Sequence, residues 1–196
     1  MKTKDYKEKY SKKAKKKKPD KKRLIDISWI ITVTLVAFLI SICFSFASEV
    51  ITSHANSIIA IIVILLFIII GIIFDMVGIS VTVADIKTFN SMATKRVKGA
   101  SLAVKFIQNN EKVSSFCNDV IGDICGIVSG SAGVALASII SKNLEINIFI
   151  PTLLITATIA ALTIGGKAIG KATAINKSTY ILFGFSKIVS IFYKGK

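Results

Sequence analysis

Long apolar segments separated by short polar connectors dominate the pattern of positions along the chain. Windows of about 19 residues place these segments at 27–47, 58–83, 118–140 and 146–164. A helix needs about 20 predominantly apolar residues to cross the hydrocarbon core of a bilayer. The sequence therefore predicts an all-α, polytopic membrane protein with four transmembrane helices.

The connector between the second and third segments is amphipathic rather than apolar. Two short helices are expected at 86–97 and 100–108, broken at Lys98-Gly99 and ended by Asn109-Asn110. We expect this helical hairpin to lie at the membrane interface through its apolar residues, Phe89, Met92, Ala93, Leu102, Phe106 and Ile107.

The C-terminal segment, 167–196, has a similar mixed character. Gly165-Gly166 interrupts the fourth apolar pattern, and alternating apolar and basic positions resume over 173–193. This pattern predicts a juxtamembrane amphipathic helix on the inner leaflet.

Composition and charge support a membrane class and indicate an orientation. The 196 residues include 26 Lys or Arg, only 11 Asp or Glu, and 53% hydrophobic residues, with a mean hydropathy of +0.67. An ordinary soluble enzyme is excluded by this combination. If the N-terminus is cytoplasmic, 25 of the 26 basic residues lie on the cytoplasmic side, as the positive-inside rule requires. We therefore expect a plasma-membrane protein with both termini in the cytoplasm.

The N-terminal region, 1–24, carries 13 basic residues and almost no apolar ones, which is typical of a disordered tail. Because a membrane span follows directly, anionic lipid headgroups are a better partner for this tail than nucleic acid. A tail that only sets orientation is the alternative. The apolar run after it exceeds the usual 7 to 15 residues of a signal peptide, so 25–48 is interpreted as an additional, uncleaved transmembrane anchor.

The sequence contains no recognisable catalytic pattern. Cys43, Cys117 and Cys125 lie in or beside apolar stretches without the spacing of a zinc site, and we interpret them as small packed residues. Nucleophile elbows, phosphate-binding loops and HExxH motifs are absent from the sequence. The chain is therefore not expected to be an enzyme.

Three acids inside the apolar segments are the main candidates for a functional site. Placing a carboxylate at the centre of a bilayer costs about 2.5 to 3.5 kcal/mol. We therefore expect a functional role for the three acids in these segments, Asp75, Asp119 and Asp123. On a helix Asp119 and Asp123 share one face, which also carries glycines, and Asp75 shares a face with Gly71 and Gly78. The glycines alone favour plain helix packing, and Asp119 could lie near enough to the interface to be solvated.

Oxygen ligands among small residues match the needs of a hard divalent cation such as Mg²⁺. The three carboxylates are the expected metal ligands, and hydroxyl groups in the same spans are weaker candidates, namely Thr82, Ser129 and Thr156. Glycines can also allow local unwinding that exposes backbone carbonyls to a cavity.

The order of these parts resembles the transmembrane domain of the CNNM/CorB/CorC family of magnesium and cobalt transport proteins. The local likeness lies in three stretches of the hairpin, with the sequences DIKTFNSMA at 85–93, KGASLAV at 98–104 and NNEKVSS at 109–115. The CNNM-like domain would cover 57–166. The family's cytosolic CBS domains and its Gly-Glu-x-x-Pro-Lys motif have no counterpart in this sequence.

The resemblance implies a homodimer that transports Mg²⁺ or Co²⁺ through a dehydrated site surrounded by its spans. A non-transporting membrane adaptor is the rival interpretation, in which glycine faces assemble helices and the basic tail holds lipid or a partner protein. Asp123→Asn separates the two, because it should abolish ion-dependent behaviour only in the transporter.

Overall fold

The computed structural model describes residues 27–53 and 56–192, and every secondary-structure element in these ranges is helical. The helices are α1 (Ile27–Ser53), α2 (Ser57–Val83), α3 (Ile86–Thr94), α4 (Ala100–Gln108), α5 (Asn110–Ser115), a π-helix (Phe116–Ile121), α6 (Gly122–Leu144), α7 (Phe149–Asn176) and α8 (Ser178–Phe192). Four helical spans are long and apolar enough to cross a membrane, which confirms the predicted fold class. The basic tail at 1–24 lies outside the described residues.

The chain divides into two compact units, 1–34 and 35–196. The described part of the first unit is the beginning of α1, and its side chains are exposed or half-buried. In the second unit the remainder of α1 contacts α2 through an edge-to-face pair of rings, Phe44 and Phe67, with centroids 5.8 Å apart.

Helices α2, α6 and α7 pack against one another in the second unit. Their common core consists of apolar side chains, Ala60, Ile64, Ile68, Ala132, Leu136 and Ile159. Many Ile and Leu residues of α2 and α7 remain exposed on the outside of this bundle. Because a bilayer solvates apolar side chains, this distribution suits helices that face lipid.

The predicted break at Gly165-Gly166 is wrong, because α7 continues through these residues to Asn176. A methyl group at Gly166 would overlap with Ile72 of α2, and one at Gly170 would lie 2.9 Å from the Met76 side chain. Glycine here permits close packing of two helices rather than ending one of them. Helix α8 begins only after Lys177, later than predicted.

The hairpin, α3 and α4, forms a second core with α2 and α8. Phe89 and Ala103 are fully buried in this core, and Met92, Phe106 and Ile107 pack against it. The core is completed by Val77, Val81, Ala84, Cys117 and Leu182. The position of the hairpin at the membrane interface stays a prediction, because amphipathic periodicity shows that a face is covered, but not whether protein or lipid covers it.

Local sequence signals explain the geometry of the hairpin. The Asp85 carboxylate accepts a hydrogen bond from the Lys87 backbone N–H at 3.0 Å and caps α3. Gly99, the N-cap residue of α4, has φ of 91°, in the left-handed region that favours glycine. The Cα atom of Lys187 on α8 lies 3.0 Å from the position that a Cβ atom would take at Gly99. The turn therefore contacts the α8 backbone directly.

Candidate intramembrane polar site

The third membrane-length span contains a π-helix at Phe116–Ile121, between α5 and α6. A π-helix inserts one extra residue into a turn and is often found at functional positions. Two polar residues, Asn118 and Asp119, lie within this segment. The distortion therefore coincides with the polar positions of an otherwise apolar span.

Asn118 packs directly onto Gly78 of α2. Any side chain at Gly78 would overlap with the Asn118 carboxamide, so this contact requires glycine. The Oδ1 atom of Asn118 is buried and has no hydrogen-bond partner. An unpaired buried acceptor costs about 1 to 3 kcal/mol, which makes this oxygen a candidate ligand for a donor or a cation. Asn118 was not among the predicted site residues, although a polar amide in an apolar span is a usable signal.

The three predicted acids come from two different spans, and the structure brings them into one electrostatic neighbourhood. Asp75 of α2 is half-buried, whereas Asp119 and Asp123 are exposed. Asp75 interacts electrostatically with both of the other carboxylates. The Ser115 hydroxyl donates a hydrogen bond of 2.8 Å to Oδ2 of Asp119, so one carboxylate already has a partner.

Two lysines of α7 belong to the same neighbourhood. Asp75 interacts electrostatically with Lys167 and Lys171. The Nζ atom of Lys167 lies 3.4 Å from the position that a Cβ atom would take at Gly122, and so stands over the α6 residue that directly precedes Asp123. Sequence analysis had assigned both lysines to the cytoplasmic segment after Gly165-Gly166. Only the continuation of α7 places them beside the acids.

The predicted hydroxyl ligands bond to their own helices. Thr82 Oγ1 donates to the Ile79 carbonyl at 2.7 Å, and Thr156 Oγ1 donates to the Thr152 carbonyl at 2.7 Å. Ser129 Oγ is buried and donates to the Gly126 carbonyl at 3.0 Å. Such bonds within a helix satisfy hydroxyl protons in an apolar environment.

The three carboxylates lie in the same region of the bundle, but they are not close enough to bind one metal ion together. In the described ranges, no three His, Cys, Asp or Glu side chains are close enough to hold a metal ion together. The polar groups lie towards one end of the bundle: Asp75 is eight residues from Val83, where α2 ends, a distance of about 12 Å along the helix. The hairpin and α8 lie at this same end of α2.

Comparisons with known proteins provide no family for the chain. No family model, curated protein or solved structure matches it. The four candidate membrane-spanning helices indicate a multi-pass membrane protein, and the polar site between them is the feature from which a function can be inferred.

Proposed function

We propose that this membrane protein binds a hard divalent cation, with Mg²⁺ as the first candidate, at the polar site between α2, α6 and α7, and moves it across the bilayer. The observation that carries the proposal is the grouping of Asp75, Asp119 and Asp123 from two separate spans. Acids within a membrane are costly, and they commonly mark ion pathways. Carboxylate oxygens are also the preferred ligands of Mg²⁺ and Ca²⁺.

Neutral oxygens next to the acids support the same chemistry. The Oδ1 atom of Asn118 is buried without a donor, so a cation would supply the partner that it lacks. The π-helix around it changes the hydrogen-bonding pattern of backbone carbonyls in the same turn. Mg²⁺ usually keeps several waters and needs only one or two carboxylates, so three convergent acids are not required.

Lys167 and Lys171 supply positive charge at the acids before an ion arrives. The neighbourhood therefore contains three acidic and two basic side chains. An entering cation is attracted by the acids and repelled by the lysines. We propose that the Lys167 ammonium moves away from Gly122 as the ion binds, because the side chain is long and flexible.

The resemblance to the CNNM/CorB/CorC transmembrane domain is part of this proposal. It adds Co²⁺ as a second cargo and a homodimer as the transporting unit. Thr82 and Ser129 remain proposed as weaker oxygen donors, because a hydroxyl that donates to its own helix keeps lone pairs for a cation. Thr156 is no longer proposed, because its neighbour Ile155 lines a cavity with Ile61, Ile64 and Leu65 of α2, and Leu65 is about 15 Å from Asp75 along the helix.

A membrane adaptor is the second candidate, and the same two lysines favour it. If Lys167 and Lys171 neutralise the acids permanently, the charges hold α2, α6 and α7 together and no ion is needed. The two candidates differ in what Lys167 does. It competes with the ion in a transporter and acts as a structural partner of the acids in an adaptor.

Isothermal titration of the detergent-purified protein with Mg²⁺, Co²⁺, Ca²⁺ and Na⁺ tests the proposal. We expect saturable Mg²⁺ binding that is lost in Asp75→Asn and Asp123→Asn and retained in Glu145→Gln, a carboxylate control in the turn after α6. Lys167→Gln should tighten Mg²⁺ binding by roughly tenfold, because it removes a repelling charge from a site of low dielectric.

Circular dichroism of each variant separates loss of binding from loss of fold. Folded Asp75→Asn and Asp123→Asn proteins that bind Mg²⁺ like the parent would contradict the site. Failure of the folded parent to bind any of the four ions, together with unfolding of Lys167→Gln, would support the adaptor. Flux into liposomes then tests whether bound Mg²⁺ is also transported.

A further inference from the structure

Helix α8 has two apolar faces on opposite sides, and only one of them is covered by protein. Leu182 is fully buried in the second core, and Ser186, on the same side of α8, is also fully buried. On the opposite side Tyr180, Ile188 and Ile191 are 80%, 59% and 65% exposed. Their spacing, with Gly184 between Tyr180 and Ile188, aligns them along one side of an α-helix. We call this exposed side the outer face of α8.

The apolar side chains of an exposed helix face must be shielded from water by protein or by lipid. The position of α8 indicates which of the two shields its outer face. Only Lys177 separates the beginning of α8 from α7, a helix long and apolar enough to cross a membrane. Helix α8 therefore follows directly after the end of a candidate membrane span. A helix that is apolar on the side turned away from its protein core is typical of a membrane environment.

Several exposed cations of the described helices lie on or next to the outer face. Lys177 and Lys187 flank it and are exposed. The turn between α3 and α4 carries three more exposed cations, Lys95, Arg96 and Lys98. The contact between Gly99 and the Lys187 backbone holds this turn against α8.

No acidic residue balances these cations nearby in the sequence. Asp and Glu are absent from 86–110, which includes the hairpin turn, and from every position after Glu145. Positive charge beside an exposed apolar strip matches the surface of a leaflet that contains anionic lipid, where headgroup phosphates meet the acyl chains.

We infer that the outer face of α8 and the hairpin turn form one docking surface for anionic phospholipid. Tyr180, Ile188 and Ile191 enter the upper acyl-chain region, and Lys98 and Lys187 contact headgroup phosphates. This surface is independent of the proposed cation site, and it belongs to described helices rather than to the N-terminal tail. Bound lipid would fix α8, and through Gly99 the hairpin, relative to the membrane.

Quenching by brominated lipid tests this inference on the full-length protein. The native tryptophan is removed with Trp29→Phe, and Tyr180→Trp places a single fluorophore on the outer face. The protein is reconstituted into nanodiscs in which the same small fraction of phosphatidylglycerol or of phosphatidylcholine is brominated on the upper acyl chain. We expect quenching by brominated phosphatidylglycerol to exceed that by phosphatidylcholine by about twofold or more, since each cation at a membrane surface favours anionic lipid about fivefold.

Matched lysine substitutions identify the source of this preference. Lys98→Gln with Lys187→Gln should bring the two quenching signals together, whereas Lys142→Gln, in the last turn of α6, should leave their ratio unchanged. Equal quenching by both lipids in the parent would overturn the preference for anionic lipid. Absence of quenching would overturn membrane docking, and cross-linking between Ile188→Cys copies would then assign the outer face to a second copy of the chain.

Discussion

Asn118 combines two features that rarely occur together in a helix core: its carboxamide packs onto a glycine of another helix, and its buried Oδ1 atom has no donor. Stability alone would favour an apolar side chain of similar size at this position. Residues that cost stability often serve function. If the proposed cation site binds an ion, the Asn118 amide is the group that lowers stability in order to supply a ligand.

Asn118→Leu should raise the free energy of unfolding by about 1 to 3 kcal/mol, because it replaces an unpaired acceptor with an apolar group of similar volume. The same substitution should weaken Mg²⁺ binding, since the oxygen is lost. Denaturant unfolding followed by circular dichroism and isothermal titration measure the two effects separately.

Asn118→Asp is the matched variant, because it keeps an oxygen and adds a charge. We expect it to be less stable than the parent without ions and to recover stability when Mg²⁺ is added. A less stable Asn118→Leu protein with unchanged Mg²⁺ binding would show that the amide has a structural partner and no role in ion binding.

Some residues of the site could be predicted from the sequence, and others could not. The cost of placing a carboxylate within an apolar span predicted Asp75, Asp119 and Asp123 as candidates, because that cost follows from the composition of the span. Lys167 and Lys171 were missed because their role depends on α7 continuing through two glycines. Whether a glycine ends a helix or lets two helices approach depends on the neighbouring helix, and this is not encoded locally.

At the scale of elements, the hairpin and α8 pack against each other and against the C-terminal end of α2. The contact of Gly99 with the α8 backbone requires both a left-handed φ and the absence of a side chain. The pattern at Lys98-Gly99 predicted a break between two helices, and α4 does begin immediately after it, at Ala100. The contact with α8 was not predictable, because it joins positions almost 90 residues apart.

Gly99→Ala should lower the free energy of unfolding by about 1 to 3 kcal/mol, since alanine is strained at this φ and its methyl group would press against Lys187. Gly184→Ala is the control on α8. No atom lies within 4 Å of the position its Cβ would occupy, and alanine favours a helix by about 0.5 to 1 kcal/mol over glycine.

Thermal unfolding in one detergent compares both variants with the parent. The expected order of stability is Gly184→Ala, then the parent, then Gly99→Ala. Equal stability of Gly99→Ala and the parent would mean that the turn is not held against α8 in the folded protein.

At the scale of the whole molecule, the distribution of charge predicts how the helices cross the membrane. The positive-inside rule places the hairpin and α8 in the cytoplasm, and it places the turn between α6 and α7, around Lys142, outside. The proposed cation site then lies nearer the cytoplasmic surface, because α2 ends at the hairpin.

Single cysteines test this orientation in a background with Cys43, Cys117 and Cys125 replaced by alanine. On intact cells, a thiol reagent that cannot cross membranes should label Lys142→Cys and leave Lys98→Cys unlabelled until the membrane is permeabilised. Labelling of Lys98→Cys on intact cells would reverse the orientation and place the lysine-rich surface outside.

The sequence by itself determined the membrane class, the number of membrane-length helices, the two-helix hairpin and the three costly acids. These features follow from local hydropathy and periodicity, which depend on neighbouring residues alone. The tertiary structure decided the rest: the apolar hairpin residues pack on protein, Asn118 meets Gly78, and two lysines stand beside the acids. Each of these depends on contacts between distant helices, because close packing selects the partner of a side chain only after the helices have come together.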